Sequence, residues 1–177
     1  MEFKELIKLR RSIRAYKEGV TITPDELKEL MLGVQEAPSW ANTQTGRYYI
    51  VSDPEKCEKV NGMLKGRNAE NTKNAAAYII TAFEKGKEGF FRGEAANELG
   101  DMWGAYDLGL AGSYLILKAR DMGYDSLIMG VRDADALRAE FSIPEDQEIA
   151  AVIALGVRES DPAGPKHLDP DVIAKYF

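Results

Sequence analysis

The sequence predicts one domain of mixed α and β structure, and three observations predict it. At 177 residues, with 45% hydrophobic and 29% charged side chains, the chain has the size and composition of a single globular domain able to bury a core. Short apolar runs of strand length alternate with segments of helical periodicity. No internal repeat, low-complexity tract or linker-like stretch divides them. By default, alternation of this kind favours a parallel, doubly wound sheet.

Each element has its own signal. A helix started at residue 2 and carried to residue 14 would place Arg10 and Arg14 on one face, with Arg11 turned elsewhere. Thr23, Pro24 and Glu26 supply a capping hydroxyl, a proline at the first helical position and a glutamate three residues after the cap. Leu27, Leu30, Met31 and Val34 follow at helical spacing, so a helix is predicted over 24–36, ahead of Pro38. Residues 38–46 form a small, amide-rich loop with one large aromatic, Trp40, a composition suited to recognition. Residues 47–52 read as a strand; Asp53 and Pro54 then open a helix with Cys57, Val60 and Leu64 facing inward, and 75–83 reads as a buried strand.

The charged, glycine-punctuated stretch 84–99 carries Phe90, Phe91 and Arg92 and is either a lid or a plain surface insertion. The longest helix is predicted over 102–122, stopped by Gly123. Gly104, Gly109 and Gly112 inside it each cost about 1 kcal/mol relative to alanine, which suggests close packing against this helix. Residues 125–129 read as a strand, Asp133 caps a short helix through 141, and 148–157 is a strong central strand. The tail 158–177, with Pro162, Pro165 and Pro170, is too polar to bury itself.

Composition also narrows the function. A net charge of -6 argues against a broad phosphate-neutralising surface for nucleic acid. No run approaches the roughly 18 apolar residues of a membrane span, and residues 1–8 do not form a signal peptide, so a cytoplasmic protein is expected. The single cysteine, Cys57, rules out an intramolecular disulfide and a cysteine-based zinc site, and it reads as a packing residue. The single histidine, His167, lies in the polar tail, which leaves little from which to build a catalytic triad or a histidine-rich metal centre. No metal site and no catalytic side chain is therefore expected; in an enzyme of this composition, a bound cofactor carries much of the reactivity.

Arg10, Arg11, Ser12, Ile13 and Arg14 place three guanidinium groups within five residues of an acidic chain. Arginine offers a planar fork of donors that matches phosphate oxygens, and a neighbouring hydroxyl fills remaining lone pairs. Taken alone, the cluster fits a solvated or salt-bridged face better than an anion site. Asn42 and Gln44, taken alone, fit residues that satisfy their own loop backbone.

The ordered set changes that balance. Arg-Arg-Ser-Ile-Arg at 10–14, Ala-Pro-Ser-Trp-Ala-Asn-Thr-Gln at 37–44, the stretch 106–112 and Ile-Pro-Glu-Asp-Gln-Glu…Ala-Leu-Gly at 143–156 together resemble the nitroreductase family of FMN-dependent oxidoreductases. The likeness covers nearly the whole chain. It implies an α+β fold, with a mixed, largely antiparallel sheet flanked by helices, in an intertwined homodimer with FMN at two interface sites, and it displaces the parallel default. It also implies that the long helix forms the dimer core and that the tail crosses the partner subunit.

Residue by residue, the resemblance implies FMN phosphate on Arg10, Ser12 and Arg14, with Arg11 on the phosphate or the ribityl chain. Pro38, Ser39, Asn42 and Gln44 would lie against the flavin of the other protomer, Asn68 would touch the ring, and Met129 and Gly130 would turn backbone N–H groups to its redox-active middle. Lys166, with His167 as its rival, would close over the phosphate. Where family members follow the glutamine with proline and an aromatic, this chain has Thr45 and Gly46; Trp40 is the candidate replacement ring, and Trp40, Phe90 and Phe91 are the candidate substrate pocket. The implied activity is ping-pong transfer of a hydride from NADH or NADPH to a small acceptor such as a nitroaromatic or quinone. Reductive dehalogenation, flavin cleavage and a non-catalytic flavin-binding module are the alternatives.

Overall fold

The computed structural model describes residues 2–177. In chain order the elements are α1 (Phe3–Leu9), α2 (Pro24–Gln35), a 3-10 turn (Trp40–Asn42), β1 (Gly46–Val51), α3 (Pro54–Gly62), α4 (Asn68–Asn71), β2 (Ala77–Glu84), β3 (Phe90–Phe91), β4 (Glu94–Ala95), α5 (Met102–Asp121), β5 (Asp125–Met129), α6 (Ala134–Phe141), β6 (Gln147–Gly156) and α7 (Pro170–Ile173). The helix starts follow their sequence signals. Glu26 N–H donates to Thr23 Oγ1 while Thr23 N–H donates to Glu26 Oε2, a complete capping box, and Asp53 and Asp133 cap α3 and α6 through their carboxylates. Gly123, at φ 92°, turns the chain out of α5.

The main sheet runs β1-β2-β6-β5, and every neighbouring pair is antiparallel. The parallel sheet favoured by strand–helix alternation is thus corrected, and the antiparallel α+β arrangement holds. The physical reason lies in burial. Tyr78, Ile80, Ala82, Val152 and Ala154 pack on one face with Cys57 and Val60 of α3 and Leu137 of α6. Ala77, Ile79, Ile153 and Leu155 pack on the other face with Leu27 and Leu30 of α2 and Leu115 of α5. With both faces covered, β2 and β6 are apolar at consecutive positions, which is the pattern usual for parallel strands.

The arginine segment departs from its predicted conformation. α1 ends at Leu9, and Arg10 is already extended at φ -63°, ψ 129°. Ile13 N–H donates to Ser126 O at 3.0 Å and Ser12 forms a parallel bridge with Ser126, so the segment runs along the free edge of β5. Ile13 and Tyr16 are both buried, and the stretch takes its backbone partners from the sheet, with Ile13 N–H on Ser126 O and Lys17 N–H on Val157 O at 2.9 Å, in place of helical ones. Side chains alternate along extended backbone, so Ser12 and Arg14 face away from Ile13.

A buried ionic knot fixes this corner. Asp125 Oδ1 accepts from Arg158 Nε at 3.0 Å, Arg158 Nη2 at 2.6 Å and Arg120 Nη1 at 3.1 Å, and Arg158 Nη2 also donates to Leu9 O at 3.0 Å. The root of the tail, the end of α1, the end of α5 and β5 are thereby joined at one carboxylate. Beyond it the tail lies exposed. Cys57 is buried, donates to Val51 O at 3.3 Å, and burial pushes its thiol up to about 11, which suits a packing residue. No helix among the described residues is long and apolar enough to cross a membrane.

Candidate functional site

Two clefts hold Arg10, Arg11, Ser12, Arg14, Pro38, Ser39 and Gln44 of the predicted site residues, and Asn42 lines neither. The first, about 340 Å³, is walled by Arg10, Arg11, Ser12 and Arg14 on one side and by Pro162, Pro165 and His167 of the tail on the other. None of the three guanidinium groups meets a carboxylate among the described residues. Arg11 Nη1 donates to Arg10 O at 2.8 Å and Arg14 Nη1 to Ser12 O at 3.3 Å, which leaves most of their donors for a ligand. The tail closes tightly here: a Cβ at Gly164 would come 2.9 Å from Arg11 Nη2. Three arginines and a hydroxyl around one space form a donor set for a phosphate, and no carboxylate competes for it. His167 lines this cleft, whereas Lys166 is exposed beside it and does not.

At the far end of β5, Asn68 Nδ2 donates to Val131 O at 3.0 Å and Arg132 Nη1 to Gly130 O at 3.1 Å. Asn68, Met129 and Gly130 thus come together where β5 ends. The Met129 side chain is in the core, so only its backbone can meet a ligand, while Gly130 is exposed. Ser126, opposite Ser12, lies four residues before Gly130, about 13 Å along the strand. One edge strand therefore links the arginine cleft to Gly130.

The second cleft, about 280 Å³, is walled by Pro38, Ser39 and Gln44 of the amide-rich loop, by Met31 and Val34 of α2, by Tyr48 of β1, and by Asp107 and Leu108 of α5. The loop is strained: Ala41, Asn42 and Gln44 all have positive φ, at 46°, 58° and 53°. Its hold comes from two carboxylates distant in sequence. Asp107 Oδ2 accepts from Trp40 N–H at 2.5 Å, and Glu88 Oε1 accepts from Thr43 Oγ1 at 3.2 Å and Thr45 N–H at 3.4 Å. Gln44 N–H donates to Ser39 Oγ at 3.1 Å and Gln44 Nε2 to Asn42 O at 3.4 Å, so part of their polar capacity satisfies the loop itself. Burial first, and Asp107 besides, raise the Glu88 carboxyl above its ordinary value, against hydrogen bonds from Thr45 and Thr43 that lower it.

Trp40, Phe90 and Phe91 do not line either cleft. The Trp40 ring packs on Trp103 with centroids 4.9 Å apart, and Trp103 packs on Tyr106 at 5.5 Å. Phe90 and Phe91 pair with Ala95 and Glu94 in the small β3–β4 hairpin, docked on the start of α5 through Asn97 Oδ1, which accepts from Trp103 Nε1 at 3.0 Å. Sequence reasoning missed Glu88, Thr45, Trp103 and Asp107 as site residues. Glu88 and Asp107 stood among 29 acidic residues with no local pattern to single them out. Their only signal was the loop itself, since a turn-rich segment with few hydrophobic anchors needs distant acceptors for its N–H groups.

The sequence pattern of the Nitroreductase family matches residues 7–157. YdgI of Bacillus subtilis (strain 168), a protein named for NAD(P)H nitroreductase activity, is 24% identical over 203 residues, covering 99% of this chain and 97% of its own. A protein of Exiguobacterium sibiricum 255-15 crystallised in complex with FMN shares the fold with a TM-score of 0.83 at 22% identity, over 100% of this chain and 98% of that one. CLA-ER, an enone reductase of gut-bacterial fatty acid saturation, shares it with a TM-score of 0.85 at 19% identity, over 99% and 97%. With the family pattern running from the end of α1 through β6 and the same fold in these neighbours, the chain belongs to the nitroreductase family.

Proposed function

We propose that the protein is an FMN-dependent oxidoreductase that uses NADH or NADPH to reduce a small organic acceptor such as a nitroaromatic or a quinone. The observation that carries this reading is the arginine cleft: Arg10, Arg11 and Arg14, free of carboxylates, surround Ser12 at the edge of a strand whose other end is Gly130. Those residues fit FMN, since the cleft is a phosphate donor set and β5 runs from it over roughly the reach of a ribityl chain. Bound FMN supplies the redox chemistry, taking a hydride from NAD(P)H and passing the electrons to the acceptor once the nicotinamide has left.

The chain's own residues bind and orient. Arg10, Ser12 and Arg14 hold the phosphate dianion, and Arg11, pinned under Gly164, reaches the phosphate or the ribityl chain. Gly130 N–H, with Met129 backbone before it, is the donor to the ring, where a fixed donor stabilises added electron density; Asn68 sits beside it. His167, already in the cleft, and Lys166 next to it cover the phosphate from the tail. Pro38, Ser39, Asn42 and Gln44 lie on the opposite side of the site in a homodimer, supplied by the partner, which accounts for a strained loop held rigidly by Glu88 and Asp107. No side chain is assigned a catalytic proton transfer.

Steady-state kinetics test this. FMN-loaded protein should oxidise NADH or NADPH in the presence of a quinone or nitroaromatic, and double-reciprocal plots at several acceptor concentrations should be parallel, as a two-step exchange requires. Absence of turnover with every quinone and nitro acceptor tried overturns the proposal.

A further inference from the structure

Arg132 follows Gly130 closely in the chain, and its guanidinium is committed entirely to neutral partners. Nη1 donates to Gly130 O at 3.1 Å and Nη2 to Ile149 O, while Nε is buried with no hydrogen-bond partner. The residue is half-buried and joins no ion pair among the described residues. The carboxylate next to it in sequence, Asp133, is paired with Lys65 at 3.0 Å and caps α6. A positive charge withdrawn from water without a counter-charge is costly, and carbonyl oxygens offset only part of that cost. The backbone around it is fixed. Arg132 forms a bridge with Leu64, and Val131 O accepts from Lys65 N–H at 3.2 Å and from Asn68 Nδ2 at 3.0 Å.

This inference rests on the oxidoreductase reading, in which Gly130 N–H is the donor to the flavin ring. Gly130 has no Cβ and lies just outside β5, so its orientation depends on what holds its peptide groups. The Arg132 hydrogen bond holds its carbonyl. An oxidised flavin ring is neutral, and a hydride brings one negative charge to it. A fixed cation beside the ring's backbone donor therefore favours the reduced form over the oxidised one. We propose that Arg132 is a positioning residue for the flavin: it fixes the Gly130 peptide, and its uncompensated charge raises the reduction potential of bound FMN. A residue that merely tied carbonyls together at the end of the sheet would leave that potential unchanged.

The test is the two-electron potential of bound FMN, measured by anaerobic equilibration of full-length, FMN-saturated protein with a reference dye. Arg132→Gln keeps a donor for the carbonyls and removes the charge. It should shift the balance from reduced towards oxidised FMN by about tenfold, which is about 30 mV for a two-electron couple. Arg132→Lys keeps the charge and should hold the balance within about threefold of the parent. The parent itself should bind reduced FMN more tightly than oxidised FMN, with a potential above that of free FMN, and this still decides the proposal if Arg132→Gln fails to fold. An unchanged potential in Arg132→Gln, an equal loss in Arg132→Lys, or a parent potential below that of free FMN overturns it. Binding of FMN and its bleaching by NAD(P)H are read separately. Protein that passes both, with an unshifted potential in Arg132→Gln, fails this inference and not the oxidoreductase reading.

Discussion

Arg14 is exposed and its guanidinium meets no carboxylate among the described residues, so the proposed site assigns its contribution to anion binding and not to folding. Arg14→Ala should weaken FMN by about tenfold or more in a fluorescence-quenching titration, with unfolding free energy within about 0.5 kcal/mol of the parent. Asp125 is the reverse case. It is buried and accepts from both Arg120 and Arg158, so Asp125→Ala removes the carboxylate these two guanidinium groups share and leaves Arg158 only Leu9 O and the exposed Asp161. Urea denaturation should show a loss of about 3–5 kcal/mol. Glu88 gives a pH signature. Its folded carboxyl titrates above the ordinary 4.5, so its contribution to stability is full below that value and is lost as pH rises through the raised one. Glu88→Gln does not titrate, so its stability relative to the parent should climb over that window; a difference independent of pH contradicts the assignment. At this scale the sequence was legible where residues are neighbours, as at Arg10, Ser12 and Arg14. It was illegible where a loop N–H finds its acceptor far along the chain, as Trp40 does at Asp107.

Among the elements, α5 shows both what periodicity reveals and what it conceals. Its three glycines suggested close packing, and Gly104 provides it: a Cβ there would come 2.3 Å from Phe83 Cδ2. Gly104→Ala should cost about 1–3 kcal/mol in a denaturant titration, since the wedged ring must shift. A Cβ at Gly109 or Gly112 would meet nothing within 4 Å in the chain, so these two report on something outside it or on nothing. Caps and stops placed α2, α3, α5 and α6 within a residue or two because their signals are local. Strand direction was not local: β2 and β6 are buried on both faces, and a continuous apolar run does not record which way its neighbour points. α1 ends at Leu9 because the chain after it takes its backbone partners from Ser126 and Val157, a tertiary demand that overrides local helical preference.

For the whole molecule, α5 leaves Met102, Tyr106 and Tyr114 exposed at spacings of four and eight residues, beside Gly109. Such a stripe on the longest helix suits a second copy of the chain, and the proposed dimer places the strained loop of one copy against the flavin of the other. Tyr114→Asp should therefore do two things together, shifting the protein to monomer in size-exclusion chromatography and lowering its flavin content. A stable monomer that keeps full FMN affinity would contradict a shared site. The family, the antiparallel α+β frame and the arginine cleft agree on one expectation about the assembled protein. Its most direct test is the visible spectrum of FMN-reconstituted protein before and after anaerobic addition of NADH or NADPH. The account predicts an oxidised-flavin spectrum that bleaches on addition of one or both donors. A colourless protein after reconstitution, or a bound flavin that stays yellow with either donor, would contradict it.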